Sequence, residues 1–281
     1  MNDIWFGIAL MLLVTCGAFL LAARAARRAS MPVVLLLAAL AVAVVFVQAF
    51  VLQENHLMAR VLPLSNLIIL GNWLPVAAGW LAGLAWARTR GATWRKYITV
   101  LPLVGAGLYS MARPLLGHPP DCTDKWEDGV CIQTSDASCS PACAATLLRH
   151  HGIEASEQEM ARLCFTRARG TPKYGLYRGL KKKTEGTPWK VAVFSDGIDG
   201  VCAGKTGPIL ISVKLKRGAH VDPHYESEWG WEPGIAHAVV LFHLLDGDKV
   251  EVGDPSLGRE QWTTDNLEVL WNGCGYYLVK R

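Results

Sequence analysis

The chain has 281 residues, 51% of them hydrophobic and 19% charged, with a formal net charge of +4. That balance is too apolar for an ordinary pair of water-soluble domains. The positive charge collects in short loops rather than on one basic face, which gives no reason to expect a nucleic-acid partner.

The apolarity is concentrated in the first 117 residues. Residues 4–23, 32–52 and 67–87 each run about 20 residues without a charge, the length that crosses a bilayer core as a helix. A fourth run, 97–117, is interrupted by Arg113, leaving 16 residues after Lys96. It reads as a span whose arginine snorkels to the interface. The first run follows MNDIW with no basic segment and is too long for the apolar stretch of a signal peptide, so it is expected to stay in the protein. Arg24, Arg27 and Arg28 follow the first run and Arg88, Arg90, Arg95 and Lys96 the third, against Arg60 alone between the second and third. Basic loops stay in the cytoplasm, so four spans make this a multi-pass membrane protein, partnered with the lipid bilayer, whose residues 118–281 lie outside the cytoplasm; a fourth run lying on the surface would instead leave them in the cytoplasm.

Residues 118–281 differ in kind, with Gly, Pro, Trp and charges throughout, no internal repeat, and length enough to bury one core. HPPDCTDKWEDG (118–129) reads as the connecting loop. Cys16 lies in the first run; Cys122, Cys131, Cys139, Cys143, Cys164, Cys202 and Cys274 lie in this part. With Cys139 set aside, six remain, enough for three disulfides in an oxidising space, in any of 15 pairings. The competing reading is that they are buried small apolar side chains. No CxxC spacing marks a zinc site, and neither a metal nor a cofactor is expected.

The stretch CIQTSDASCSPACAATLLR (131–149) places three cysteines and a glutamine where a polar loop turns into a helix. Ser138 is expected to cap that helix, Pro141 suits its first turn, Ala144, Leu147 and Leu148 keep helical spacing, and Gly152 stops it. Cys139 then sits at the helix N-terminus, where unpaired N–H groups and the positive end of the dipole favour thiolate over thiol. The same N–H groups can hold an oxyanion, and the Gln133 amide, six residues before Cys139, can supply a second donor.

A thiolate nucleophile needs an imidazole, and the imidazole needs an orienting group. The histidines on offer are His118, His150, His151, His220, His224, His237 and His243. His150 and His151 are about three turns, roughly 16 Å, along the same helix and cannot reach Cys139. His237 opens the strand-like HAVVLFHLL, followed by the turn residues Asp246 and Gly247 and a second strand, DKVEVGDP. A two-residue loop pairs Leu245 with Asp248, so Val239 lies opposite Asp254, and His237 and Asp254 become diagonal neighbours on one face. His243 falls on the same face about 20 Å along and is expected to be structural.

These residues resemble the papain-like, bacteriocin-processing peptidases that cut leader peptides after a double glycine, over most of the C-terminal part. The similarity runs through QTSDASC, then LLRHHGIEASEQEMARLC, in which Ser156 and Glu159 form a capping box, then RGTPKYGLYRGLKKKT, PILISVKL, HAVVLFHLL and VGDPSLG. The resemblance implies an α+β domain with a nucleophile-bearing helix packed on an antiparallel sheet, a peptide or protein substrate and no cofactor. It implies Gln133 as oxyanion donor, Cys139 as nucleophile, His237 as general base and acid, and Asp254 as its orienter. Two departures stand out. The family usually has Gly after the cysteine, where this chain has Ser140 and Pro141; and the chain lacks the GxxxxGK[ST] loop of an exporter, so double-glycine specificity is not carried over and any partner exporter is unidentified.

The loop 214–235 precedes His237 as a specificity or lid element, with Trp229 and Trp231 as walls of a peptide groove or as aromatics packed on the sheet edge. Lys181, Lys182 and Lys183 read as a solvated helix end. The expected protein is a membrane-anchored cysteine peptidase acting outside the cytoplasm. Its rivals are a papain-like amidase for cell-wall peptides and a non-catalytic peptide-binding sensor, against which the retained Cys139, His237 and Asp254 argue.

Overall fold

The computed structural model describes every residue except 53–54, 205–206 and 219–221, so His220 and part of the 214–235 loop lie outside the described residues. It divides the chain into two compact units, Met1–Leu116 and Gly117–Arg281.

The first unit is helical: α1 (Asn2–Arg28), α2 (Met31–Val47, continued by a π-helical turn Gln48–Leu52), short α3 (Leu57–Val61) and α4 (Leu67–Leu70), α5 (Leu74–Arg88) and α6 (Thr93–Ala112). Four stretches, Asn2–Arg28, Met31–Val51, Leu67–Arg88 and Thr93–Leu115, are long and apolar enough to cross a membrane. Helix α6, the last of these four stretches, begins at Thr93, so Arg95 and Lys96 ride on its first turn and the helix gains the length its uncharged run lacks.

The third run is not one continuous helix. Pro75 has no N–H to return to the Gly71 carbonyl four residues back, and the helix breaks between α4 and α5. The Gln48 side chain donates to the freed Gly71 carbonyl at 2.7 Å, and the Asn72 carboxamide oxygen accepts from Leu74 N–H at 3.3 Å. These side chains take up backbone groups that the break leaves without helical partners. Helices α1 and α5 pack through small residues. Gly79 and Gly83 lie against the Thr15 and Phe19 carbonyls, too close to admit a Cβ, and Ala18, Ala22 and Ala26 are buried on α1.

The second unit contains a small hairpin, β1 (Lys125–Glu127) and β2 (Val130–Ile132), then α7 (Cys139–His150), α8 (Glu157–Leu163) and α9 (Lys173–Lys183). There follow β3 (Trp189–Phe194), α10 (Gly197–Cys202), β4 (Ile209–Lys214), α11 (His224–Ser227), β5 (Ala236–Leu244), β6 (Lys249–Asp254), β7 (Gly258–Thr263), α12 (Thr264–Leu270) and β8 (Trp271–Lys280). The six later strands form one antiparallel sheet in the order β3-β8-β4-β5-β6-β7. Alternate side chains divide the core. Ile211, Val239 and Val252 join Leu267 and Leu270 of α12 on one face. Tyr276 meets Tyr177 of α9 at 5.5 Å on the other, where α7 lies against β5 and the Cys143 thiol donates to the Ala238 carbonyl at 3.1 Å.

Several local expectations change. The hairpin loop after β5 has three residues, not two, since Leu245 N–H bonds to the Lys249 carbonyl. One extra residue at Phe242 bulges from β5 and restores the pairing of Val240 with Gly253. The loop and the bulge cancel, so the His237 end keeps the expected register. On the turn side the bulge shifts the phase, so His243 does not share the face of His237; it pairs with Glu251 at 3.4 Å and is exposed. The Ser156 hydroxyl accepts from Glu159 N–H at 3.0 Å, but the Glu159 carboxylate turns to Lys183 instead of closing a capping box. No disulfide forms among the described residues. All eight cysteines are free thiols, with Cys131, Cys143 and Cys164 buried as small apolar side chains.

The packing of α8 on α9 has a sharp steric signature at Gly179, where an added Cβ would overlap Cys164 Sγ and approach Met160 Cε at 3.2 Å. Gly179→Ala is expected to destabilise the unit by about 1–3 kcal/mol through overpacking, although Ala favours a helix by about 1 kcal/mol. In a Cys164→Ala background the penalty should disappear. Denaturant unfolding of the detergent-solubilised chain, followed by tryptophan fluorescence, measures both, and an equal cost in the two backgrounds would exclude the overlap as its cause.

Candidate active site

Helix α7 starts at Cys139 without the expected serine cap. The Ser138 hydroxyl donates to the Ser135 carbonyl at 2.7 Å and accepts from Ser135 N–H at 3.1 Å, closing a turn in the preceding loop. The first N–H groups of α7 therefore have no side-chain cap among the described residues. At the other end Gly152, with φ of +71°, completes the stop, as Ile153 N–H reaches the Leu148 carbonyl at 3.0 Å.

Strands β5 and β6 deliver the other two side chains. His237 Nε2 lies 3.0 Å from Asp254 Oδ1, and the same oxygen accepts from Ser256 N–H at 2.7 Å. Asp254 is 4% exposed, so this pair is shielded from water on the carboxylate side. The Cys139 side chain lies close enough to the same imidazole for each to shift the other's titration.

Burial disfavours the thiolate of Cys139, but the hydrogen bond and charge of His237, the Ala238 backbone and the Ser140 hydroxyl together bring its pKa below the usual cysteine value. Burial alone would likewise discharge His237. Hydrogen bonds to Asp254 and Cys139, with their charges, more than reverse that and lift the imidazole to about 10. The two shifts open a pH window in which thiolate and imidazolium coexist. Cys143, one turn along α7, is driven the other way: full burial first, then the charges of Cys139, Asp254 and Cys131, push its thiol far up. Desolvation also holds Cys131 and Cys164 up to about 12.

Gln133 is tied to the same corner through its backbone, its N–H donating to the Pro255 carbonyl at 2.7 Å, directly after Asp254. Its side-chain Nε2 makes a long contact, 3.4 Å, to the Ser135 carbonyl, and its buried Oε1 has no partner among the described residues. Trp231 stands edge-on to the His237 ring at 6.3 Å and to Trp262 at 5.9 Å, a wall beside the imidazole. Trp229 turns away, 49% exposed, against His224 and Tyr225. Lys182 and Lys183 pair with Glu185 and Glu159, so the lysine run is less solvated than its charge suggests.

The structure thus brings Cys139, His237 and Asp254 together and places the Gln133 backbone beside them. His150 packs on Phe242 and His151 on Trp189, both away from the thiol. Three participants carry no sequence signal. Ser140, which reads as a departure from family, supports the thiolate; Trp262 backs Trp231; and Glu157 holds Thr134, 23 residues away, through both carboxylate oxygens.

The second unit is an α+β domain in which helix α7, bearing Cys139, lies against the antiparallel sheet that carries His237 and Asp254. Residues 128–185 match the model of the Peptidase C39 family, a segment that holds Gln133 and Cys139 and ends before His237 and Asp254. The chain is 26% identical over 144 residues to the Lactococcin-G-processing and transport ATP-binding protein LagD of Lactococcus lactis, covering 51% of this chain and 18% of that protein. It is 50% identical over 57 residues to an uncharacterized protein of Methanothermobacter marburgensis, covering 20% of this chain and 40% of the relative. The chain thus spans less than half the length of the curated relatives it matches. Among solved structures it is similar to the peptidase domain of Streptococcus ComA, at 17% identity and a TM-score of 0.43 over 54% of this chain and 98% of that one. A double glycine motif protease from an AMS/PCAT transporter, solved with a leader peptide, is 14% identical with a TM-score of 0.40, over 59% of this chain and 96% of that one.

The paired shifts predict a pH profile. Alkylation of Cys139 by iodoacetamide, read on its peptide by mass spectrometry, should reach half its plateau below the pH at which an ordinary cysteine does. In Asp254→Asn the carboxylate that raises His237 is lost, the imidazolium deprotonates at lower pH, and the thiolate loses its partner. The half-rise should therefore move to higher pH. An unmoved profile would mean that Asp254 does not control the pair.

Proposed function

We propose that the protein is a membrane-anchored cysteine peptidase that cleaves a peptide bond through a Cys139–His237–Asp254 triad, with Gln133 as oxyanion donor. The observation that carries this reading is the convergence of an uncapped helix N-terminus bearing Cys139 on an imidazole held at 3.0 Å by a buried aspartate. In the reaction the Cys139 thiolate attacks the scissile carbonyl carbon, and the carbonyl electrons move to oxygen. The α7 N–H groups and the Gln133 amide stabilise that oxyanion. As the tetrahedral species collapses, the carbon–nitrogen bond breaks, the leaving amine takes the His237 proton, and a thioester remains. Water then adds with its proton passing to His237, and the carboxylic acid departs as the thiol is restored. Asp254 holds the ring and stabilises its protonated form throughout.

Cys139→Ala is expected to abolish turnover while preserving the fold, and His237→Ala to be nearly as severe. Gln133→Ala should cost roughly 10- to 1,000-fold, the range for losing an oxyanion donor. Substrates trapped by the Cys139→Ala chain and identified by mass spectrometry supply the peptide for these assays. Cleavage that survives loss of Cys139 would end the peptidase reading.

The charge pattern favours an active site outside the cytoplasm. Seven basic residues lie in the loops after the first and third spans against Arg60 alone between the second and third, and moving those loops outward opposes the bias that sets orientation. The substrates within reach are then exported peptides or proteins. Fusions made after residue 120 test this in a bacterial host: alkaline phosphatase should be active there and a fluorescent protein that folds only in the cytoplasm should stay dark. The reverse pattern would place the domain in the cytoplasm.

A further inference from the structure

Glu157, the first residue of α8, is fully buried although its side chain is a carboxyl group. Its Oε1 accepts from Thr134 N–H at 2.8 Å and its Oε2 from the Thr134 hydroxyl at 2.7 Å. The Cys122 thiol, which donates to the Pro120 carbonyl at 3.6 Å, lies near enough to the same carboxylate for its pKa to be raised by it after burial. The Thr134 hydroxyl oxygen in turn accepts from Thr123 N–H at 3.0 Å, and the backbone N–H of Glu157 donates to Asp124. These donors are neutral. Among the described residues no ion pair reaches this carboxyl group; burying it is costly, and an apolar residue would fill the same space at lower cost. What the carboxylate adds is geometry.

That geometry centres on Gln133. The peptide group before its Cα is held by the Gln133 N–H bond to the Pro255 carbonyl at 2.7 Å, and the peptide group after it by the Thr134 N–H bond to Glu157 at 2.8 Å. With both planes fixed, the backbone angles of Gln133 are set and only its side chain is free to turn. From this we infer that Glu157 is a positioning residue. It acts through Thr134 to hold the Gln133 amide where the oxyanion forms, and so rests on the oxyanion role proposed above for Gln133.

Two probes of the full chain in detergent micelles separate oxyanion stabilisation from thiolate formation. In acylation by p-nitrophenyl acetate, sulfur attacks a carbonyl, an oxyanion forms, and p-nitrophenolate leaves. In alkylation by iodoacetamide, sulfur displaces iodide from a saturated carbon and no oxyanion forms. Both rates are taken after subtracting those of Cys139→Ala. Glu157→Ala should lower the acylation-to-alkylation ratio by about 10-fold or more, within the range for a lost oxyanion donor, and leave alkylation and its pH profile unchanged. Glu157→Gln, which can still accept from Thr134 N–H, should recover most of the ratio. Thr134→Val removes both bonds of the hydroxyl, to Glu157 and from Thr123 N–H, but keeps the Thr134 N–H bond to Glu157 and fills the site; it should show a smaller fall, which carries the test if Glu157→Ala does not fold.

The double variant Gln133→Ala/Glu157→Ala should be no worse than Gln133→Ala alone, because a positioning effect has nothing left to act on. Losses that multiply, or a wild-type ratio in both Glu157→Ala and Thr134→Val, would overturn the inference while leaving the Gln133 role intact. A wild-type ratio in Gln133→Ala would remove the oxyanion assignment and this inference with it.

Discussion

The site depends on the hydrogen bond between His237 and Asp254, and that bond depends on strand register. Side chains alternate along a strand, so a slip of one residue between β5 and β6 would send one partner to the opposite face. The chain reaches the needed register by two compensating irregularities, a three-residue loop that displaces the pairing and a bulge at Phe242 that restores it. The bulge also turns His243 away from the face of His237, so the strand presents one histidine to the thiol and the other to solvent.

Around this pair the fold gathers polar groups that burial would otherwise penalise. Ser256 N–H shares the Asp254 oxygen that holds His237, and the adjacent Pro255 carbonyl receives the Gln133 N–H. One turn thus fixes both the group that orients the imidazole and the backbone of the residue assigned to the oxyanion. Ser138 spends its hydroxyl on the Ser135 turn and leaves the α7 N–H groups open to a substrate oxygen. The same helix separates two thiols one turn apart: Cys139, stabilised as thiolate by an imidazolium, and Cys143, packed against the Ala238 carbonyl and held neutral by full burial. Reactivity here follows from the neighbours of each sulfur rather than from position on the helix.

The helical unit obeys another accounting. Its long apolar stretches satisfy their own backbone groups as helices, and where Pro75 interrupts that pattern the Gln48 side chain supplies the missing donor to Gly71. Its helix contact between α1 and α5 relies on Gly79 and Gly83, which let the two backbones approach more closely than a Cβ would allow.

Much of this was legible in the order of residues. Length without charge marked the four apolar stretches, because a bilayer sets a fixed helix length. The polar-to-helical change at Cys139, the Gly152 stop and the alternation through His237 and Asp254 marked the elements that carry the site, because local backbone preference and side-chain period are properties of short segments. Other features depend on groups brought together across long separations. The Phe242 bulge, the free cysteines where disulfides were a reading, the Trp231–Trp262 wall and the grip of Glu157 on Thr134 are decided by which side chains meet once the sheet closes on α7. No segment encodes those meetings alone, since each partner's environment is built by residues far away in the chain. The sequence by itself determined which residues had the chemistry to react; the tertiary structure decided which were desolvated, paired and held.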